Sequence, residues 1–438
     1  MNIRTTESLN YFQPSTYSGK SLGLNKSLIS RHAMTVLKGL KKNGYDSYLV
    51  GGCVRDLLLG LEPKDFDVAT NARPDQVRHV FRNARVIGRR FKIVHVRFGR
   101  EVIEVATYRS APASSHQDQS THRIGEQGRL LADNVYGTRD EDAMRRDLSV
   151  NALYYDPATD EILDYHDGLD DIQHGRLRVI GEASERYRED PVRMLRVVRF
   201  AAKLGFEIEP SASNAIDKNV GLLTNVPAAR LFDEVLKLFH SGSAIATFEK
   251  LRQHGLFEYL FPATEHILNS EEEGFPRTFL PLALKNTDKR ILQGKPVIPS
   301  FLYAVLLWEP FRYYKEIARS QGANEYDSIH QAADQAIVEQ LSTVAIPRRY
   351  TAQMREIWLM QYFFDQRRSR QVFRLLENRK FRAGYDFLLL RASVGQAKPE
   401  IAEWWTRIQD ADEDERRRML KSLTGGSKKR RPRKKKKS

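Results

Sequence analysis

Two aspartates separated by one residue, Asp65 and Asp67, stand in the run Lys64-Asp65-Phe66-Asp67-Val68. In extended backbone successive side chains alternate faces, so both carboxylates would point one way and Phe66 and Val68 the other. Two like charges side by side repel and are costly to take out of water, and a divalent cation between them relieves both penalties. Oxygen ligands of this kind suit Mg2+, which binds through one or two carboxylates and fills its shell with water or substrate phosphate. Alone, the pair also describes a solvated Asp-x-Asp at a strand end. The surrounding stretches narrow the choice.

Just upstream, a strand expected over residues 47–50 runs into Gly51-Gly52, and a helix is expected over 53–59, stopped by Gly60. Strand, double glycine and helix is a phosphate-site layout: glycine lets backbone approach an anion, and a helix start offers free N–H groups. Arg55 lies one turn into that helix; the alternative is an ordinary tight turn. Downstream, a strand over 101–108 carries Glu104 opposite Ile103 and Val105. Beside the Asp-x-Asp strand it would be the third carboxylate of a two-metal site, or else an exposed acid on an edge strand. A helix over 141–153 would put Asp147 and Asn151 on one face, with Arg145 and Arg146 suited to phosphates or to surface ion pairs.

The elements that must hold these residues are short. A helix is expected over 30–43, with Ala33, Val36, Leu37 and Leu40 at helical spacing, and another over 74–82. A strand pair is expected over 85–98, turning at Gly88-Arg89-Arg90, and a hairpin over 153–165. Residues 112–137 read as a long loop in which His116 and His122 are solvated. Further on, Asp190 is a natural N-cap before Pro191, and Arg193, Arg196 and Arg199 recur every third residue. That stripe is either an ion-paired face or a contact to base and phosphate. Beyond Phe206 the pattern is helical, with helices expected over 228–240, 245–253, 300–307 and 329–341. Over 348–382 arginines interleave with aromatics, among them Arg348, Arg349, Arg367, Arg368 and Arg370. Arginine for phosphates and aromatics for bases is how a single strand is held without strong sequence readout.

The 438 residues carry a net charge of +15, so a polyanion is the expected partner. Nine of the positive side chains crowd into residues 428–437, including Lys428, Lys429, Arg430, Arg431 and Arg433. A single cysteine, Cys53, rules out an internal disulfide and fits a reducing compartment. Residues 1–20 lack an apolar core, so no signal peptide is expected, and the longest apolar run, 301–308, is too short to span a bilayer. Cytoplasmic localisation follows. The expected organisation is a flexible arm over 1–26, a catalytic head over 27–170, a helical neck over 171–270, a helical body over 271–420 and a disordered basic tail over 421–438.

Four ordered stretches together resemble the class II nucleotidyltransferases, the family of bacterial poly(A) polymerases and CCA-adding tRNA nucleotidyltransferases. They are Leu49-Val50-Gly51-Gly52-Cys53-Val54-Arg55-Asp56; Asp65-Phe66-Asp67; Arg146-Asp147-Leu148-Ser149-Val150-Asn151-Ala152-Leu153; and Glu189-Asp190-Pro191-Val192-Arg193 with Arg196 and Phe200. The segment 86–95 looks like the one that marks the poly(A) branch, where CCA-adding relatives tend to have a His-Gly-Thr type sequence. The resemblance implies an α+β fold: a polymerase-β-like head with a small mixed sheet, then an all-helical neck and body. It implies that Asp65 and Asp67 bind two Mg2+ ions, with Glu104 as third carboxylate. Asp147 would orient the ribose or the helix facing the metals. Gly51, Gly52 and Arg55 would hold the triphosphate of ATP, and Arg146, Asn151, Asp190, Arg193, Arg196 and Arg199 would complete the nucleotide site. Within it Asp190 would accept from the adenine amino group and Arg193 donate to a ring nitrogen. The implied activity is template-independent addition of AMP to RNA 3′ ends with release of pyrophosphate, in mRNA polyadenylation and RNA turnover. Implied partners are RNA and the RNA-degradation machinery or an RNA chaperone, with the enzyme a monomer. A CCA-adding enzyme is the alternative, and a catalytically dead RNA-binding protein a remote one.

Overall fold

A computed structural model describes residues 13–88, 92–110, 122–124, 130–133, 135–270 and 277–424. Arg89, Arg90, His116 and the basic residues Lys428, Lys429, Arg430, Arg431 and Arg433 lie outside the described residues. The chain forms two compact units, Met1–Asn225 and Val226–Ser438.

The first unit is built on one eight-stranded sheet. Its elements run β1 (Ser15–Ser18), α1 (Arg31–Lys42), β2 (Ser47–Val50), α2 (Gly52–Leu58), β3 (Asp67–Thr70), α3 (Pro74–Val80), β4 (Ala84–Ile87), β5 (Ile93–Phe98) and β6 (Glu101–Thr107). A small pair follows, β7 (His122–Ile124) with β8 (Leu130–Asp133), then α4 (Arg139–Met144), β9 (Leu153–Asp156), β10 (Glu161–Asp164), α5 (Gly168–Gln173), α6 (Ala183–Glu189) and α7 (Val192–Leu204). The sheet order is β1-β10-β9-β2-β3-β6-β5-β4. Only the β3–β6 pair is parallel. One face packs Leu49, Val68, Val94, Val96, Ile103 and Val105 against α1 and α3. Helix α1 presents Ala33, Val36, Leu37 and Leu40 to that core and starts where Ser30 Oγ accepts from the His32 and Ala33 N–H groups. Each such aliphatic side chain taken from water contributes about 1.5–3 kcal/mol. The opposite face carries a smaller cluster of Val50, Ala69, Tyr108, Tyr154 and Tyr165, and Asp67 belongs to it by alternation.

Three expectations are corrected. Ser15–Ser18, read as part of a flexible arm, is the edge strand β1, paired with β10 and tied through Asp160 to Ser18 Oγ and the Lys20 N–H. Its four side chains are all exposed, so no apolar alternation announced it. Helix α4 ends at Met144 instead of continuing to 153. The backbone of 147–149 pairs with 178–180 instead: Ile180 N–H donates to Asp147 O, Ser149 N–H to Arg178 O, and Leu148 bridges Val179. The last helix, Glu413–Thr424, runs past the point where the disordered tail was expected to begin.

The second unit is helical throughout its described residues. Helices Ala228–Phe239, Ala244–Gln253, Pro299–Leu306 and Glu325–Leu341 match the expected spans within a few residues. The interleaved stretch becomes helices Arg348–Gln366 and Ser369–Leu376. Its aromatics divide: Trp358 and Phe364 are core, and Phe373 is exposed. Both Trp358 and Trp405 are buried with their indole N–H groups bonded, to Ala304 O and Phe364 O. No helix of the described residues is long and apolar enough to cross a membrane.

Candidate active site

The expected pair of acids stands at the start of β3, an interior strand of the sheet. Strand β3 begins at Asp67, and Asp65 sits in the bend just before it. Burial nonetheless alternates as expected: Phe66 and Val68 are in the core, Asp65 is exposed and Asp67 half-buried. Across the parallel ladder Asp67 lies opposite Glu104 of β6, so these carboxylates are lateral neighbours on one face. Burial raises the Asp67 carboxyl, and the charges of Glu104 and then Asp65 add to it against Arg146, leaving it at about 6. Burial is the larger cause, and the gathered acids add to it.

Gly51 closes this site from the side of β2. Its φ of 80° is left-handed, and a Cβ there would stand 3.7 Å from Arg146 Nη1 and 3.8 Å from Asp67 Oδ2. Arg146 is held in place by Tyr154 Oη on Nε and Asp142 Oδ2 on Nη2. Its remaining nitrogen, Nη1, lies 3.5 Å from Asn151 O. A fixed positive charge therefore stands beside the acids. Next to Gly52, Cys53 is buried, and burial foremost, with the Asp67 charge, pushes its thiol up to about 12, so it stays protonated.

Arg55, expected at the triphosphate, is turned inward. It is 1% exposed and donates from Nε and Nη2 to Asp56 Oδ1 and from Nη1 to Asn151 Oδ1. Its guanidinium also covers the Phe200 ring at 5.1 Å. Arg55 thus braces the turn from the interior and, with all three nitrogens engaged, is not placed to hold a phosphate directly, and it occupies the Asn151 side-chain oxygen.

Asp147 is bound as well. Its Oδ2 accepts from Arg196 Nε at 2.7 Å, with Nη2 at 2.6 Å, and its Oδ1 accepts from the Leu148 N–H. Burial works to raise this carboxyl, but the Arg196 charge and hydrogen bond, then Arg193 and the Leu148 N–H, hold it at about 2. Of the two roles open to Asp147, orienting the helix is the one this geometry favours. On α7, Arg193 donates to Glu189 Oε2 and to Arg186 O. Asp190 is one residue further from α7 than expected, with Pro191 as the N-cap and the Val192 N–H directed at Asp190 Oδ1. Burial, together with neighbouring arginines, lowers Arg145 and Arg186 to about 10. In this corner Glu189 bridges Arg186 and Arg193.

Sequence reasoning missed Phe200 as a hub. Arg55, Arg196 and Arg199 all lie over its ring, within 5.8 Å. It also assigned no role to Asp56, Asp142, Tyr154 and Glu189, which hold Arg55, Arg146 and Arg193 in place. In the second unit Arg348, Arg349, Arg368 and Arg370 are exposed, and Arg367 covers Trp404 at 5.6 Å.

An eight-stranded mixed sheet with paired acids beside a glycine turn, followed by helices, defines a nucleotidyltransferase. Solved structures agree on the fold: a CCA-adding enzyme (apo form II) superposes with a TM-score of 0.54 at 17% identity, covering 95% of this chain and 97% of that one. A tRNA-processing enzyme (apo form I) gives 0.52 at 20% identity, covering 91% and 92%. Three family models match: the Poly A polymerase head domain over residues 47–178, the probable RNA and SrmB-binding site of polymerase A over 205–268, and the polymerase A arginine-rich C-terminus over 321–438. Poly(A) polymerase I of Haemophilus influenzae is 44% identical over 390 residues, covering 88% of this chain and 86% of that protein. The Salmonella typhi enzyme of the same name is 44% identical over 389 residues, covering 88% and 84%. A CCA-adding enzyme of Staphylococcus aureus is 32% identical over 244 residues, 56% of this chain and 58% of that one. The chain belongs to the bacterial poly(A) polymerase I family.

Proposed function

We propose that this chain adds AMP from ATP to RNA 3′ ends without a template, releasing pyrophosphate. What supports the reading most is the placement of Asp67 and Glu104 side by side, with Asp65 adjoining, at the mouth of the Gly51 turn and next to the fixed charge of Arg146.

The donor set fits a divalent cation. No group of three or more His, Cys, Asp or Glu among the described residues is arranged to hold a metal ion by itself. An open set of one or two carboxylates is the half-site that Mg2+ completes with substrate phosphate. Asp65 and Asp67 would hold Mg2+, with Glu104 beside them. Bound there, Mg2+ supplies charge neutralisation at the α-phosphate and acidifies the ribose 3′-hydroxyl.

The chain's own residues do the rest. The Gly51 turn lets backbone approach the triphosphate, and Arg146 faces it with a charge that Asp142 and Tyr154 keep from swinging away. Asp147 holds α7 through Arg196, and α7 carries Arg193 beside Asp190, the pair suited to the Watson–Crick edge of adenine. Catalysis of this kind is mostly positioning and electrostatics.

The decisive experiment offers each nucleotide separately to a generic RNA and to tRNA lacking its CCA end. Long extension with ATP alone is the expected result. Addition of C, C and A on tRNA followed by a stop would overturn the assignment in favour of a CCA-adding enzyme.

A further inference from the structure

The row of side chains that begins at Asp67 continues past Glu104. His95 of β5 lies opposite Glu104 in the antiparallel ladder, just as Glu104 lies opposite Asp67 in the parallel one. The three residues therefore project from one face of three neighbouring strands, spaced about 4.8 Å apart. His95 Nε2 is 3.3 Å from Glu104 Oε1. That nitrogen is enclosed and makes no hydrogen bond among the described residues; Glu104 Oε1 stands beside it at contact distance. Beyond His95, Arg85 of β4 ends the row.

These neighbours act on Glu104 from opposite sides. Asp67 repels it; among the charges acting on Asp67, that of Glu104 is the largest. His95 borders it on the other side, with Arg85 next in the row. A glutamate side chain half open to solvent otherwise samples many rotamers, and its contact with an enclosed ring nitrogen selects among them. With Oε1 turned to His95, Oε2 remains.

We propose that His95 is a positioning residue of the metal site, holding Oε1 of Glu104 so that Oε2 is available to a cation shared with Asp67. This rests on the reading of Asp67 and Glu104 as metal-site carboxylates. It assigns His95 no contact with metal or substrate. Its position, in the segment 86–95, is one that the chemistry of the acids alone would not single out.

The test uses the full-length protein and Mn2+ as the probe, with binding followed by the electron-spin signal of free Mn2+ in the absence of RNA. His95→Ala should weaken Mn2+ binding about tenfold, the usual effect of removing a partner of a metal ligand. The Mg2+ concentration for half-maximal extension should rise in parallel, with RNA affinity unchanged. His95→Gln, which keeps a donor at similar reach, should restore most of the loss. In a Glu104→Gln background His95→Ala should have no further effect, because the two act as one unit. Additive losses in the double variant would overturn the proposal. So would a His95→Ala protein that is thermally weakened but binds Mn2+ normally, since that marks a purely structural histidine. Asp67→Asn separates the two readings. If it abolishes Mn2+ binding while His95→Ala does not, only the histidine inference falls; if neither affects binding, the metal site itself is misplaced.

Discussion

Asp147 and Arg196 stand 49 residues apart and meet through two nitrogens of one guanidinium, at 2.7 Å and 2.6 Å from the same carboxylate oxygen. The pair ties the segment after α4 to the middle of α7. Because it holds the Asp147 carboxyl at about 2, against about 3.9 in an unfolded chain, it couples stability to acid. The folded-state value is depressed, so the contribution is present above pH ~4 and is lost as pH falls through about 2. Arg196 is 37% exposed, which reduces the tie, after solvent screening, to about 1–2 kcal/mol. We expect Asp147→Asn to lower the free energy of urea unfolding by that amount at pH 6. The wild-type and variant curves should converge as pH approaches 2. A gap that stays constant from pH 6 to pH 2 would mean the carboxylate charge is not what holds α7.

Arg55 and Asp56 give a sharper stability prediction because both are buried. Removing one partner of a buried pair costs about 3–5 kcal/mol where the other charge is left uncompensated; Lys203 Nζ, 3.7 Å from Asp56 Oδ2, offsets part of that here. Arg55→Ala should therefore lower the unfolding midpoint steeply and loosen Asn151, its second acceptor. A surface arginine serving only the triphosphate would instead raise the KM for ATP with the unfolding midpoint unchanged. Denaturation and kinetics on the same preparation distinguish these outcomes.

The contrast between Arg55 and Asp67 shows what was legible in the sequence. Asp65, Asp67 and the glycine turn are local patterns, and alternation alone placed Phe66 and Val68 in the core. Strands β2, β5 and β6 and helix α1 were readable for the same reason. What failed was non-local. Nothing in a helix starting Gly-Cys-Val-Arg-Asp says that the arginine points inward, because its second acceptor, Asn151, lies 96 residues away. Residues 147–149 leave the expected helix because 178–180 compete for their backbone groups. Strand β1 has no buried side chain to mark it. Phe200 was read as part of a motif, but its stacking partners come from both α2 and α7 and only the fold assembles them.

Asp67→Asn tests the chemistry with little structural disturbance. The side chain keeps its size at a half-buried position and loses the charge that competes with Glu104 and Asp65. A metal-held oxyanion contributes several kcal/mol to a phosphoryl-transfer transition state, so extension should fall by about 10^3-fold or more. Affinity for RNA should be unchanged, since the acids repel the strand if anything. Filter binding and primer extension measured side by side check both halves. Surviving extension would remove Asp67 from the metal site.

Helix Ser369–Leu376 makes the RNA contact testable without disturbing the core. It buries Val372 and Leu375, while Arg370, Phe373 and Arg374 face outward, Phe373 being 43% exposed. Each arginine that neutralises one phosphate of a single strand contributes about 0.7 to the slope of log affinity against log salt. Arg370→Ala with Arg374→Ala should therefore reduce that slope by about 1.4 for a single-stranded oligonucleotide, read by fluorescence anisotropy across a salt series. An aromatic that stacks on a base behaves differently: Phe373→Ala should cost about 1–3 kcal/mol of affinity and leave the slope alone. The two signatures are independent, so the arginines and the aromatic are tested separately. If the double arginine variant keeps the wild-type slope, this face does not follow the RNA backbone, and the strand must run over other arginines.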